Sequence, residues 1–417
     1  MHPAWVMLAI GTLGMFLSAP GQSFSVAAFI DPMLKDLDLR RTDYSIAYLV
    51  AGLISGTLLP GIGVLLDRLG ARVLLPTLGL LLGSACLGMS SIDSFFGLSV
   101  GFTLVRCIGQ GAITLSATWL VGEWFERRRG LAMGVVGLGG AVSVMAIPQL
   151  NNLLIDEYGW RSAWWGLAVM VWVGLVLPAL LLVRDRPEPL GLLPDGRWHD
   201  EPADRGSASS GEPGMETSES RSSDAAEDFS LGQVVRLSSF WKLLAVWSST
   251  AMVGTGLIFH QVSLMAVHDV ARSDALLLLG LQAVVATFCG VVAGLLTDMG
   301  YERYLLAVAM VCLSIGTGLM LWMPSPVWAL AYAGVLGLQG GIIRTAGTAV
   351  WINYYGRTNQ GAIRGVAMAA AVIAAACGPL PLALCWDWSG SYAVALILFG
   401  VLPLLSAVAV VTARRPE

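Results

Sequence analysis

Two arginines stand where arginine is costly. Arg106 lies about eleven residues into the apolar run 95–122, and Arg344 about seventeen into the run 327–355. A charge at the centre of a membrane helix costs about 2.5–3.5 kcal/mol on insertion scales, so it is rarely idle. No Asp or Glu stands near the middle of either run to pair with it. Two unneutralised cations around one cavity would attract an anion, and a guanidinium grips a carboxylate through two parallel hydrogen bonds. The plain alternative is that each donates to helix-end carbonyls or to a polar neighbour.

Other polar groups gather near these two by spacing. Arg344, Thr348, Trp351 and Tyr355 share one helical face, with Gly337 and Gly341 further along it. That face offers a charge, a hydroxyl and aromatic walls beside smooth backbone, although aromatic stripes are more often packing. Gln110 follows Arg106 by one turn. In the first run, Ala19-Pro20-Gly21-Gln22-Ser23 predicts a broken helix, because proline removes a backbone hydrogen bond and glycine permits the bend. Freed backbone groups at membrane depth are tolerated where they face protein or a wet cavity. Gln22 is therefore a candidate donor in the site, with a packing kink as the alternative. His260 is the one histidine within an apolar run, and an ordinary pKa near 6.5 suits proton exchange. Asp31 and Glu123 are the other coupling candidates, both at helix ends where capping is commoner. The six cysteines show neither metal-ligand nor disulfide spacing, so no metal or cofactor is expected.

The elements that must carry these residues are written twice. Gly63-Val-Leu-Leu-Asp67-Arg68-Leu-Gly70-Ala-Arg72 recurs as Gly294-Leu-Leu-Thr-Asp298-Met-Gly300-Tyr-Glu-Arg303, 231 residues later. Asp43 and Asp274, Gly130 and Gly361, Pro148 and Pro379, Asp156 and Asp387 keep the same offset. A shared offset over that distance marks one unit duplicated.

Composition sets the solvent. Hydrophobic residues make up 56% and charged ones 12%, against roughly 25% charged in soluble chains. Mean hydropathy is +0.72. The partner is therefore a lipid bilayer, and the basic clusters are too small for nucleic acid. A crossing takes roughly 20 apolar helical residues, which yields twelve: 5–30, 44–66, 73–91, 95–122, 130–154, 161–183, 241–266, 275–297, 304–323, 327–355, 361–385 and 391–412. The expected fold is an all-α membrane protein with two pseudo-symmetric six-helix bundles, 1–183 and 241–417. Between them, 184–240 reads as a linker, disordered over 195–228 and ending in an amphipathic surface helix at 229–240. With both termini cytoplasmic, seventeen of the 24 Lys and Arg face the cytoplasm, five face away and two lie within crossings. The expected place is the plasma (inner) membrane.

Two six-helix halves, a polar central loop and the Gly-x-x-x-Asp-Arg-x-Gly-x-Arg turn together resemble the major facilitator superfamily. Arg106-Cys-Ile-Gly109-Gln-Gly111 is similar to that superfamily's fourth-helix signature. Trp124-Phe125-Glu-Arg-Arg-Arg-Gly130, Tyr158-Gly159-Trp160-Arg161 and Phe240-Trp241 resemble its monocarboxylate transporter and oxalate/formate antiporter branches. Unlike many members of those branches, 275–297 carries no Arg or Lys. The resemblance implies a monomeric secondary carrier, not an enzyme, working by alternating access. It implies a gate role for Gly63, Asp67, Arg68, Gly70 and Arg72, and for Gly294, Asp298 and Arg303 in the second copy. The expected substrate is a small organic anion, a mono- or dicarboxylate held by Arg344 with Arg106 and Gln22, with protons as possible co-substrate. Alternatives are an exporter of amphipathic or drug-like compounds and a non-transporting membrane sensor.

Overall fold

The computed structural model describes residues 3–125, 129–190, 192–193, 197–198, 229–355 and 360–416. Among them ten helical stretches are long and apolar enough to cross a bilayer. One of these, Leu131–Leu182, is two crossings, because Gly159 sits inside it at φ +81 and breaks the helix. A further 28-residue helix, Trp328–Tyr355, carries enough glycine, Gln339 and Arg344 to dilute its hydropathy. The total is the expected twelve. In chain order, crossing 1 is a broken helix over 3–29, continued at its end by the short helix Ile30–Leu37, crossing 2 is Arg41–Leu69, crossing 3 Ala71–Met89 and crossing 4 Phe95–Trp124. Crossings 5 and 6 lie on either side of Gly159. Crossing 7 is Ser238–Ala266, crossing 8 Arg272–Asp298, crossing 9 Glu302–Leu321, crossing 10 Trp328–Tyr355, crossing 11 spans 360–389 and crossing 12 is Ala393–Val411. Phe288, Val291 and Leu295 on crossing 8 and Val408 on crossing 12 are each more than half exposed. A belt of that kind is stable only where lipid covers it.

Two irregular stretches meet in the first half. Crossing 1 breaks at Pro20, where a 3-10 turn Ala19–Gly21 is followed by Gln22 in extended conformation. Crossing 4 widens into a π-helical stretch at Arg106–Ile113, a feature that the sequence reading did not anticipate. They interlock backbone to backbone: a Cβ on Gly21 would lie 2.7 Å from the Gln110 nitrogen, and one on Gly109 would lie 2.9 Å from the Ser18 oxygen. Only glycine permits that approach.

The first six crossings meet the last six along two main seams, and crossing 7 also packs against the broken part of crossing 1 and against Tyr48 of crossing 2. Crossing 2 packs on crossing 11, with Gly52 against Ala376 and Gly56 against Val372. Crossing 5 packs on crossing 8, where Gly280 receives Met145.

The segment before crossing 7 differs from the expected surface helix. It makes a single turn, Leu231–Val234, and then leads directly into crossing 7. Phe229 packs edge-on against Tyr355, and its amide donates to the Tyr355 carbonyl, so the segment docks on protein instead of lying on lipid. Most of the predicted disordered stretch 195–228 lies outside the described residues, but Arg197–Trp198 pairs antiparallel with Leu192–Leu193 and is ordered.

Candidate functional site

Crossing 2 descends from the face bearing Arg41 to the face bearing the Gly70 turn. These are called here the distal face and the motif face. About nine residues below Arg41, at roughly 1.5 Å per residue, the chain passes Arg106 near mid-membrane. The Arg106 guanidinium lies 3.8 Å from the Tyr48 ring centroid, stacked on its face. The residue is 3% exposed, and its Nε and Nη1 atoms are buried without a hydrogen-bond partner. Its Nη2 points toward the Gly52–Ala376 seam. The aromatic ring satisfies one face of the cation while the hydrogen-bonding edges remain unfilled.

Arg344 on crossing 10 is different. It is exposed, and no hydrogen bond or ion pair joins its guanidinium to any described residue. Its direction follows from its neighbours. Gly337, Gly341 and Thr345 touch crossing 8, and Gly347 and Trp351 touch crossing 7 through Trp247. At 100° per residue Arg344 lies on the face between those two sides. Arg344 therefore projects from the side of crossing 10 that lies between crossings 7 and 8.

The remaining candidates divide. Gln22 donates to Ser18 Oγ at 3.3 Å beside the break, and Gln110 lies directly on Gly21, so both sit at the junction that carries Arg106. The Thr348 hydroxyl donates to its own helix at the Arg344 and Thr345 carbonyls. Trp351 is 1% exposed and packed against Phe240, Trp247 and Tyr355; its ring belongs to the core. His260 is buried, with Nε2 3.1 Å from the Pro379 carbonyl. A carbonyl only accepts, so Nε2 carries the proton and Nδ1, which has no partner, is left as a bare acceptor. Glu123 pairs with Arg186 at 2.9 Å on the motif face.

Asp31 leads to a feature that the sequence reading missed. It accepts from Arg41 Nη2 at 2.6 Å, while Arg41 Nη1 donates to Ser263 Oγ across the molecule at 2.6 Å. Arg41 also lies over the Trp386 ring at 5.7 Å. Beside it the Thr42 amide donates to Asp387 Oδ2 at 2.8 Å. On the other seam Arg272 reaches Asp156 at 3.4 Å and the Ala28 carbonyl at 2.7 Å. Arg41 and Arg272 stand 231 residues apart, as do Asp156 and Asp387. The duplicated unit thus supplies two related distal clasps. Between described residues, every hydrogen bond and ion pair joining the first six crossings to the last six belongs to this face.

On the motif face the ties stay within one half. Gly70 has φ +75, and the Asp185 carboxylate occupies the place of its missing Cβ. The same carboxylate accepts from the Arg72 amide at 2.7 Å and so caps crossing 3. Arg68 is exposed, and a Cβ on Gly63 would come no nearer than 3.9 Å to the Leu115 side chain. In the second copy Gly300 has φ +82 with nothing beside it, and Gly294 meets Thr345. Arg303 folds onto Tyr304, and Glu302 accepts from Asn353. The side chains of Asp67 and Asp298 lie outside the described residues.

Comparison with known proteins supplies the remaining finding. A family model described as Major Facilitator Superfamily matches residues 11–298. A riboflavin transporter of Trypanosoma brucei brucei is 27% identical over 45% of this chain and 35% of its own length. An oxalate:formate antiporter of Oxalobacter formigenes is 21% identical over 62% of this chain and 54% of its own. The chain thus spans about a third to a half of the lengths of these relatives. A solved bacterial homologue of the human lysosomal transporter Spinster, in an inward-facing and occupied conformation, has the same fold, with a TM-score of 0.71 at 15% identity over 98% of this chain and 96% of the other.

Proposed function

The chain belongs to the Major Facilitator Superfamily of membrane transporters, and on that premise we propose that it carries a small organic anion, a mono- or dicarboxylate, by alternating access. The supporting observation is the pair of guanidiniums among the crossings, Arg106 and Arg344, neither of which has an acidic or hydrogen-bonding partner among the described residues. A carboxylate would meet Arg344 on that side of crossing 10 and Arg106 at the junction with Gln22 and Gln110. Residues 1–183 would rock against 241–417, joined by 184–240, with the distal clasps breaking as the carrier turns over. Protons would enter through Asp31, which the clasp exposes, more readily than through the enclosed His260. An exporter of lipophilic compounds would have no use for two unpaired cations, so the anion reading is preferred.

Uptake of lactate and oxalate into proteoliposomes tests the reading. Arg344→Ala should lower uptake roughly tenfold or more, the loss expected when a charge-assisted pair is removed, with the melting temperature unchanged. Full carboxylate transport without Arg344 would remove that residue from the site.

A further inference from the structure

Tyr48 is fully buried on crossing 2 and touches three separate things. One ring face carries the Arg106 guanidinium at 3.8 Å. Its hydroxyl is 2.7 Å from Ser23 Oγ, at the break in crossing 1. Phe259, which belongs to crossing 7 in the other half, lies 4.4 Å away, centroid to centroid. One turn toward the distal face, Tyr44 repeats the pattern against Phe102 at 4.9 Å and Phe259 at 5.8 Å. An aromatic layer therefore lies between Arg106 and the clasps of Arg41.

We propose that Tyr48 is the positioning residue of the anion site and, with Phe259, its distal lid. This rests on the anion reading above. A guanidinium is planar, and all of its N–H groups lie in that plane. Stacking one face on Tyr48 fixes the plane and turns the hydrogen-bonding edges away from the ring. Nη2 is shared by both bidentate edges, one with Nε and one with Nη1. Nε and Nη1 are the two atoms buried without partners. Buried donors of this kind are rarely left empty in a folded protein, and a carboxylate fills either edge. The same ring, pressed on Phe259 across the seam, closes the route from Arg106 to the distal face. For the distal face to open, Phe259 must leave Tyr48. Anion capture and lid closure thus share one side chain, and Ser23 passes the lid's position to the broken helix that carries Gln22.

The test measures binding of lactate, oxalate and benzoate to purified full-length protein by calorimetry, beside labelling of Cys107, the neighbour of Arg106, by a membrane-impermeant thiol reagent from each side of proteoliposomes. Tyr48→Leu should raise the carboxylate Kd about tenfold or more, beside the fall in ligand-free melting temperature that loss of a buried ring brings. Tyr48→Phe, which keeps the ring and folds if the ring is what matters, should bind within about threefold of the unaltered protein. Phe259→Leu should leave Kd alone and increase distal-side labelling. Unaltered binding in Tyr48→Leu, loss in Tyr48→Phe equal to that in Arg106→Gln, or unchanged labelling in Phe259→Leu would each overturn the proposal while leaving the anion reading in place. Absence of carboxylate binding by the unaltered protein, with Arg106→Gln and Arg344→Ala indistinguishable from it, would instead remove the anion reading and this inference with it.

Discussion

The two faces of the molecule are tied in opposite ways. At the distal face Arg41, Thr42 and Arg272 each reach across a seam, to Ser263, Asp387 and Asp156. At the motif face Asp185 and Arg186, at the start of the linker, hold Gly70, Arg72 and Glu123 of the first half, and Asn353 holds Glu302 within the second, so none of these ties joins the two halves. Ties across a seam resist separation of the halves, whereas ties within a half make each one rigid. The alternating access proposed for this chain needs both: a stiff body to rock and a clasp that can break. The structure has its distal face tied across the two halves, and the separation of the two sets of ties predicts that each face can be loosened without the other.

The largest effect should come from Arg41. Replacing it with Ala removes the pair with Asp31, the hydrogen bond to Ser263 and the ring contact with Trp386. A charge-assisted hydrogen bond contributes roughly 1.5–3 kcal/mol when shielded. Asp31 is 42% exposed, so its share is discounted toward about 1 kcal/mol. Together the losses come to about 3 kcal/mol against the distal-closed state, a shift of roughly a hundredfold in the ratio of states. Labelling by an impermeant thiol reagent from the distal side should rise accordingly, with folding intact. Unchanged labelling would mean that the apolar seams alone hold the face shut.

Gly70 probes the other face. Its φ of 75 and ψ of 166 fall in a region open essentially to glycine, where a side chain costs on the order of 1–3 kcal/mol. Gly70→Ala must also displace the Asp185 carboxylate. The melting temperature should fall by the equivalent of about 2 kcal/mol, and distal labelling should stay as it was. Gly300→Ala carries only the backbone cost, because nothing stands beside Gly300. Equal losses in the two variants would show that Asp185 contributes nothing.

What was legible in the chain follows from how local each signal is. Twelve apolar runs and the break at Pro20 are properties of contiguous residues, and the structure reproduces both. Arg106 and Arg344 stood out because a charge within an apolar run is conspicuous wherever the fold places it. Tyr48 did not stand out, since its importance depends on a guanidinium from crossing 4 and a ring from crossing 7. The π-helical stretch at Arg106–Ile113 has no periodic signature longer than a single extra residue. Asp185 was hidden in a segment read as linker. The distal clasps were within reach: Arg41 and Arg272 share the offset that already related Asp156 to Asp387. Trp351 shows the converse hazard, an aromatic stripe beside a candidate cation whose ring turned out to be core.

The smallest expected effect distinguishes a clasp from mere corner bracing at the distal face. Asp36 accepts from Arg161 and from Trp160 Nε1, and Arg161 also holds Asp93 at 2.8 Å. All four belong to the first six crossings, so this corner does not join the halves. The hydrogen bond from Arg161 is the main cause that lowers the Asp36 pKa below its usual 3.8, with the Arg161 charge and the Trp160 hydrogen bond adding to it. A carboxyl whose folded pKa is depressed contributes stability above the unfolded pKa and loses it as pH falls through the folded value. The contribution is therefore complete near neutrality and disappears only in acid, below about 3.8. Asp36→Asn should lower the melting temperature slightly at pH 7, leave it equal to that of the unaltered protein in strong acid, and leave distal labelling unchanged at both. If the variant instead opened the distal face, bracing and clasp would be one network, and the separation of the two faces drawn above would fail.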